Sequence, residues 1–137
     1  MLSRFVPRAL AALFLCCVAL VGCSSSSGGS SPSSRAAATP SWVPHGMATV
    51  QAGQLPGEAL ETLRRIDKGG PFPHAKDGTV FGNYERVLPR EKRGYYREYT
   101  VRTPGERDRG ARRIVTGDGG ETYYTSDHYA SFKAVLR

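Results

Sequence analysis

Three features of the sequence could do chemistry together. His128 lies in the polar stretch Thr125-Ser126-Asp127-His128-Tyr129. Glu98 stands in an aromatic run, Gly94-Tyr95-Tyr96-Arg97-Glu98-Tyr99. Arg107, Arg109, Arg112 and Arg113 crowd one seven-residue span. A histidine and a glutamate make a general acid–base pair that needs no metal, with ordinary pKa values of about 6.5 and 4.3. Clustered guanidinium groups grip a phosphate bidentately and offset charge that develops on phosphorus. The combination suits cleavage of a phosphodiester by its own 2′-hydroxyl. Each feature also has a plain structural explanation. A loop histidine is often only a surface residue, a mid-strand glutamate is often solvated or paired, and an arginine run is often a solvated face. Cysteine chemistry is excluded from the folded part, because the three cysteines are Cys16, Cys17 and Cys23.

The elements that must position these groups follow from periodicity. Leu55, Ala59, Leu60, Leu63 and Ile66 recur at helical spacing, so residues 55–66 are predicted as a helix. Pro56 suits its first turn and Gly69-Gly70 its end. Residues 70–74, Gly-Pro-Phe-Pro-His, can only be loop, and Asp77-Gly78 is a turn. Strands are predicted at 79–81, 94–102, 112–116, 121–125 and 132–136, rich in aromatic and β-branched residues and separated by glycine turns. One helix followed by a run of strands implies an α+β fold, the helix packed on one face of a small antiparallel sheet. Alternation then places Tyr99 and Val101 on one face and Glu98 and Thr100 on the other. If the helix covers Tyr99 and Val101, Glu98 is open to substrate. Whether Arg113 shares its face depends on the register between strands, which the sequence leaves open.

The N-terminal part has a different character. Arg4 and Arg8 precede the apolar run 9–21, which is short for a membrane span of about 20 residues and fits the core of an export signal. Leu20-Val21-Gly22-Cys23 is similar to the bacterial lipoprotein signal, in which the cysteine is lipidated and becomes the first residue. The expected organisation is a signal at 1–22, a Ser/Gly/Pro/Ala-rich flexible tether at 23–53 holding Trp42 and His45, and a folded domain at 54–137. The formal charge of the chain is +7, with 19 Lys and Arg against 12 Asp and Glu, which favours a polyanionic partner. A domain this small has no room for a large cofactor site.

Longer motifs then become visible. The segments 70–73 and 77–89 (Asp-Gly-Thr-Val-Phe-Gly-Asn-Tyr-Glu-Arg-Val-Leu-Pro), 94–101, 109–117 and 123–130 together resemble the small exported bacterial guanyl-specific ribonucleases of the barnase group. The resemblance covers nearly the whole domain. It implies the microbial ribonuclease fold, single-stranded RNA as substrate, no metal or cofactor, and a monomer. By the same resemblance, Glu98 is the general base, His128 the general acid, and Arg109 and Arg113 the phosphate clamp. Asn83 and Glu85 match the guanine-binding loop, and Phe81 and Tyr129 match aromatic walls of the site. An acidic, barstar-like inhibitor protein is an expected partner on this analogy alone. Two positions depart from the family pattern. Tyr84 stands where an arginine is common, and the folded part has no cysteine for a disulfide between its ends. The competing functional readings are a basic RNA-binding module without catalysis and an anchored envelope protein.

Overall fold

The computed structural model describes residues 38–137; the signal, Cys23 and the first part of the tether lie outside the described residues. The described chain forms β1 (Thr49–Gln51), a single 3-10 turn (Ala52–Gln54), α1 (Gly57–Lys68), β2 (Thr79–Val80), β3 (Tyr96–Thr100), β4 (Arg113–Gly117), β5 (Thr122–Thr125) and β6 (Lys133–Leu136). The six strands lie in one sheet in the order β1-β6-β5-β4-β3-β2.

Helix α1 follows its sequence signals with a small offset. Pro56 is the N-cap instead of a first-turn residue, and its carbonyl accepts from the N–H groups of Ala59 and Leu60. Gly69 ends the helix in the left-handed region, at φ 74°. Its N–H donates to Ile66 O and that of Gly70 to Arg65 O, the double closure that a residue without Cβ permits cheaply. The buried face of α1 carries Ala59 and Leu63, joined by Leu55 just before the helix, onto Val101, Ile114, Tyr124 and Val135, with Leu60 and Ile66 half-buried at the margin. Thr62, unremarkable in the sequence, is buried there, and its hydroxyl donates to Thr100 O at 3.2 Å.

The register answers the question that alternation left open. Glu98 lies opposite Val115, and Thr100 opposite Arg113. Cross-strand partners share a face, and so do residues two apart on one strand. Glu98, Thr100 and Arg113 therefore project together from the sheet face that α1 does not cover. That face has its own apolar floor, made by Phe81, Leu88, Tyr96, Val115, Tyr123, Phe132 and Ala134.

Two expectations are corrected. The sheet is not wholly antiparallel, because β1 runs parallel to β6, pairing Thr49 with Ala134 and Gln51 with Leu136. The flexible tether expected over 23–53 does not extend that far, since residues 38–53 belong to the folded body. Trp42, expected in the linker, meets the ring of Tyr123 edge-on at 5.7 Å, and Val43 and Met47 pack on the same cluster. The physical reason is composition: this stretch holds apolar side chains large enough to cover the open face, unlike the serines before it. His45 is exposed, as a linker residue would be.

Candidate active site

Strand β3 presents Glu98 in mid-sheet, with a side chain only 13% exposed. Both carboxylate oxygens are occupied. Oε1 accepts from Arg109 Nη2 at 3.2 Å, and Oε2 accepts from the Tyr129 hydroxyl at 2.7 Å. A carboxylate has about four lone-pair sites, so two remain for a further donor such as a sugar hydroxyl.

The two arginines are fixed before any substrate arrives. Arg109 Nε donates to Thr100 Oγ1 at 3.0 Å. Arg113 is 3% exposed, and its Nη1 donates to the carbonyls of Arg109, Gly110 and Arg112 while its Nε donates to the Tyr129 hydroxyl at 3.1 Å. Among the described residues Arg113 has no carboxylate partner. A buried guanidinium with its dipoles satisfied but its charge unmatched is a built anion site. Arg113 also ties the arginine-rich loop to the start of β4 through these carbonyls, despite the loop's polar sequence.

His128 and Tyr129 occupy consecutive left-handed positions, at φ 55° and 73°, a conformation costly for residues with a Cβ. The turn before them supplies the restraint. Thr125 Oγ1 donates to Asp127 Oδ1 at 2.8 Å and accepts from the Tyr129 N–H at 3.2 Å. Asp127 also accepts from the Ser131 hydroxyl and N–H. These bonds, the Ser131 hydroxyl first, hold the Asp127 carboxyl down at about 2. The His128 N–H donates to Ala111 O at 3.2 Å, tying this turn to the arginine loop. The exposed His128 ring lies 4.9 Å from that of Tyr129. Burial, and then the bond to Glu98, push the Tyr129 phenol above its usual value, so it remains a donor at neutral pH.

The other flank is the loop after β2. Phe81 is buried and tilts over Tyr129 at 5.1 Å. Asn83 turns the chain at φ 49°, and its side chain is used within the loop: Nδ2 donates to Leu88 O and Pro89 O, and Oδ1 accepts from the Leu88 N–H. Asn83 thus shapes the loop and leaves only its backbone to a ligand. Glu85 is exposed beside it. The Tyr84 ring lies directly over Gly82, where any Cβ would collide with it. This loop borders a cleft of about 390 Å³.

The structure therefore brings Glu98, Arg109, Arg113 and Tyr129 into one hydrogen-bonded cluster, sets His128 and Phe81 against its tyrosine, and places Asn83, Tyr84 and Glu85 in the adjoining loop. Sequence reading missed Thr100, Thr125 and Asp127 as supports. Thr100 had a signal, since it alternates onto the Glu98 face. Thr125-Ser126-Asp127 had one too, being a turn that its own side chains close.

A carboxylate, an imidazole and two restrained guanidinium groups over the open face of an α+β sheet define a small nuclease built for phosphodiesters. The chain belongs to the ribonuclease family, whose model matches residues 37–136. It is similar to guanyl-specific ribonuclease St of Saccharopolyspora erythraea, 55% identical over 91 residues that cover 66% of this chain and 90% of the relative. It is also similar to guanyl-specific ribonuclease Sa of Kitasatospora aureofaciens, 56% identical over 88 residues, 64% of this chain and 92% of that one. Among solved structures, ribonuclease Sa2 complexed with mononucleotides superposes with a TM-score of 0.66 at 49% identity, covering 66% of this chain and 95% of that chain. The same enzyme solved with guanosine-2′-cyclophosphate matches at a TM-score of 0.63 and 50% identity, covering 66% and 96%.

Proposed function

We propose that this chain is an endoribonuclease that cuts single-stranded RNA on the 3′ side of guanosine. Glu98 takes the proton from the guanosine 2′-hydroxyl, O2′ attacks phosphorus, and the P–O5′ bond breaks. His128 gives its proton to the departing O5′, leaving a 2′,3′-cyclic phosphate. Water then opens the ring with the two roles exchanged, breaking the P–O2′ bond and leaving a 3′-phosphate. Arg109 and Arg113 hold the non-bridging oxygens, where charge is greatest in the transition state. Guanine sits against Phe81 and Tyr129. The Glu85 carboxylate accepts from N1–H and N2–H₂, a pair of donors that adenine lacks, and backbone N–H groups of the loop serve O6. The observation that carries this reading is the cluster in which Arg109 and Tyr129 both donate to Glu98 and the Tyr129 ring abuts His128. The relatives named as guanyl-specific support the choice of base.

The test is digestion of a defined RNA by the purified protein, with the new ends mapped. We expect guanosine-2′,3′-cyclic phosphate ends first and 3′-phosphates later, and the same rate with a chelator. Cleavage without base preference, or ends that carry a 5′-phosphate, would overturn the assignment. At the cell level we propose an exported enzyme held at the outer face of the membrane through acyl chains on Cys23. Each buried CH₂ contributes about 0.8 kcal/mol, so two or three chains suffice. Cys23→Ser should abolish membrane fractionation; a mature N-terminus at another residue would exclude the anchor. We also propose, by family analogy, an acidic inhibitor of the barstar type as protein partner, which the net positive charge of the chain would attract.

A further inference from the structure

The cleft beside the base loop has a chemistry that the catalytic reading leaves unused. It is lined by residues 80–84 together with Arg86, Arg90, Glu91, Lys92, Arg93 and Tyr96. Four cations stand there against one carboxylate, and among the described residues none of the four makes an ion pair. Other cations of the described residues lack an acidic partner too, Arg97 and Arg112 for example; these four are set apart by sharing one cleft. The two large hydrophobic side chains exposed on the described surface, Tyr84 at 86% and Val80 at 42%, both line this cleft. An aromatic face offered to solvent beside unpaired cations is the arrangement by which proteins hold single-stranded nucleic acid, bases stacking on the ring and phosphates meeting the charges.

The floor is fixed. The Tyr96 hydroxyl donates to Pro89 O at 2.8 Å, Leu88 is buried at the 2% level, and the Tyr95 N–H donates to Lys92 O. The basic segment is thus pinned on both sides of Arg90 while its long side chains stay free.

Strand β3 sets the direction. Tyr96 borders the cleft and Glu98 is the base two residues further on, roughly 7 Å along the strand. Thr100 follows, beside Arg109 and opposite Arg113. The order along one sheet face is cleft, base, phosphate clamp. For a guanosine with its 2′-hydroxyl at Glu98 and its 3′-phosphate at the arginines, the cleft lies on the side away from that phosphate, where the 5′ side of the chain can leave. None of Glu98, Arg109, Arg113, His128 and Tyr129 lines the cleft; Phe81, the wall given to guanine, is where cleft and site adjoin.

We propose that this cleft is an upstream subsite that takes the nucleotide on the 5′ side of the target guanosine, with Arg90, Lys92 and Arg93 on its phosphate and Tyr84 under its base. The proposal rests on the functional reading above for the placement of the guanosine.

Three short substrates test it: GpU, ApGpU and GpUpA, each with wild type and with the triple variant Arg90→Ala, Lys92→Ala, Arg93→Ala. All three side chains are exposed, and an unchanged melting temperature checks that the fold survives. In wild type the upstream adenosine should raise kcat/KM about tenfold over GpU, mostly through KM, and added salt should erode the gain. The triple variant should lose that gain while its GpU and GpUpA rates stay at the wild-type level. Equal wild-type rates on ApGpU and GpU overturn the subsite alone. Loss confined to GpUpA overturns its direction, and an equal loss on all three substrates overturns its separateness from the catalytic centre. Failure of wild type to cut any of the three overturns the functional reading and the subsite with it.

Discussion

Tyr129 does more than line a pocket. Its hydroxyl accepts from Arg113 and donates to Glu98, so one phenol links the buried cation to the base, while its ring lies between His128 and Phe81. Tyr129→Phe keeps the ring and removes the link. Hydrogen bonds to charged groups contribute about 1.5–3 kcal/mol each, so kcat for transesterification should fall about 10- to 100-fold. Preference for guanosine should persist, since the wall against the base is intact; single-turnover cleavage of GpU and of ApU would read both. Glu98→Ala and His128→Ala should each cost about 10²- to 10⁴-fold, the range for a positioned base or acid. His128→Ala should also melt at the wild-type temperature, because its ring is exposed and touches little besides Tyr129. Full activity in that variant would remove the acid assignment. Arg113→Lys should harm both fold and rate, because an ammonium lacks the flat fork that reaches three carbonyls and a phenol at once.

The turn between β5 and β6 is the element on which the acid depends. It holds two strained residues, and Asp127 is its clasp. The folded carboxyl titrates at about 2 against an ordinary 3.8, so its ionised form is the one the fold favours. A depressed value contributes stability above the unfolded pKa and loses it as pH falls toward the folded one. Asp127→Ala should therefore melt below wild type at neutral pH, and the gap should close between about pH 4 and pH 2. A gap that persists at pH 2 would show that the clasp works without its charge. The helix gives a simpler expectation: Leu63→Ala should cost about 2–5 kcal/mol in denaturant unfolding, as a buried leucine with helix and sheet around it. Much of this architecture is legible in the sequence. Helical spacing finds α1, glycine turns separate β3, β4 and β5, and alternation finds the face of Glu98. Strand β1 is not legible, because three residues are too few to establish an alternation and its partner is at the other end of the chain. The burial of Arg113 is hidden for a related reason: an arginine run reads as solvated surface until the register puts one member under the loop. Asn83 is placed in the base-binding loop by family likeness; that its side chain closes this loop on Leu88 and Pro89 is announced by no local pattern.

At the scale of the whole molecule, the sheet separates two jobs. The base loop follows β2 at one edge, the catalytic groups stand on β3, β4 and the turns beside them, and β1 forms the opposite edge. The chain carries a formal charge of +7 and four cations line the cleft beside the base loop, so kcat/KM on long RNA should fall steeply and linearly on a log–log plot against salt, and less steeply on GpU. Equal slopes would mean that the cations outside the catalytic cluster never meet RNA. Strand β1 also decides how the molecule responds to being pulled. It is held by a short parallel ladder to β6, closing a loop of some eighty residues, a pairing expected late in folding and early in opening. Tension applied through the N-terminus therefore acts first on this edge and not on the catalytic strands. In a force spectrometer the first event should be a brief lengthening as residues 38–51 peel away, with RNA cleavage continuing until a second, larger rupture. Strand β1 is in this sense a mechanical fuse between whatever holds the chain and the strands that cut RNA.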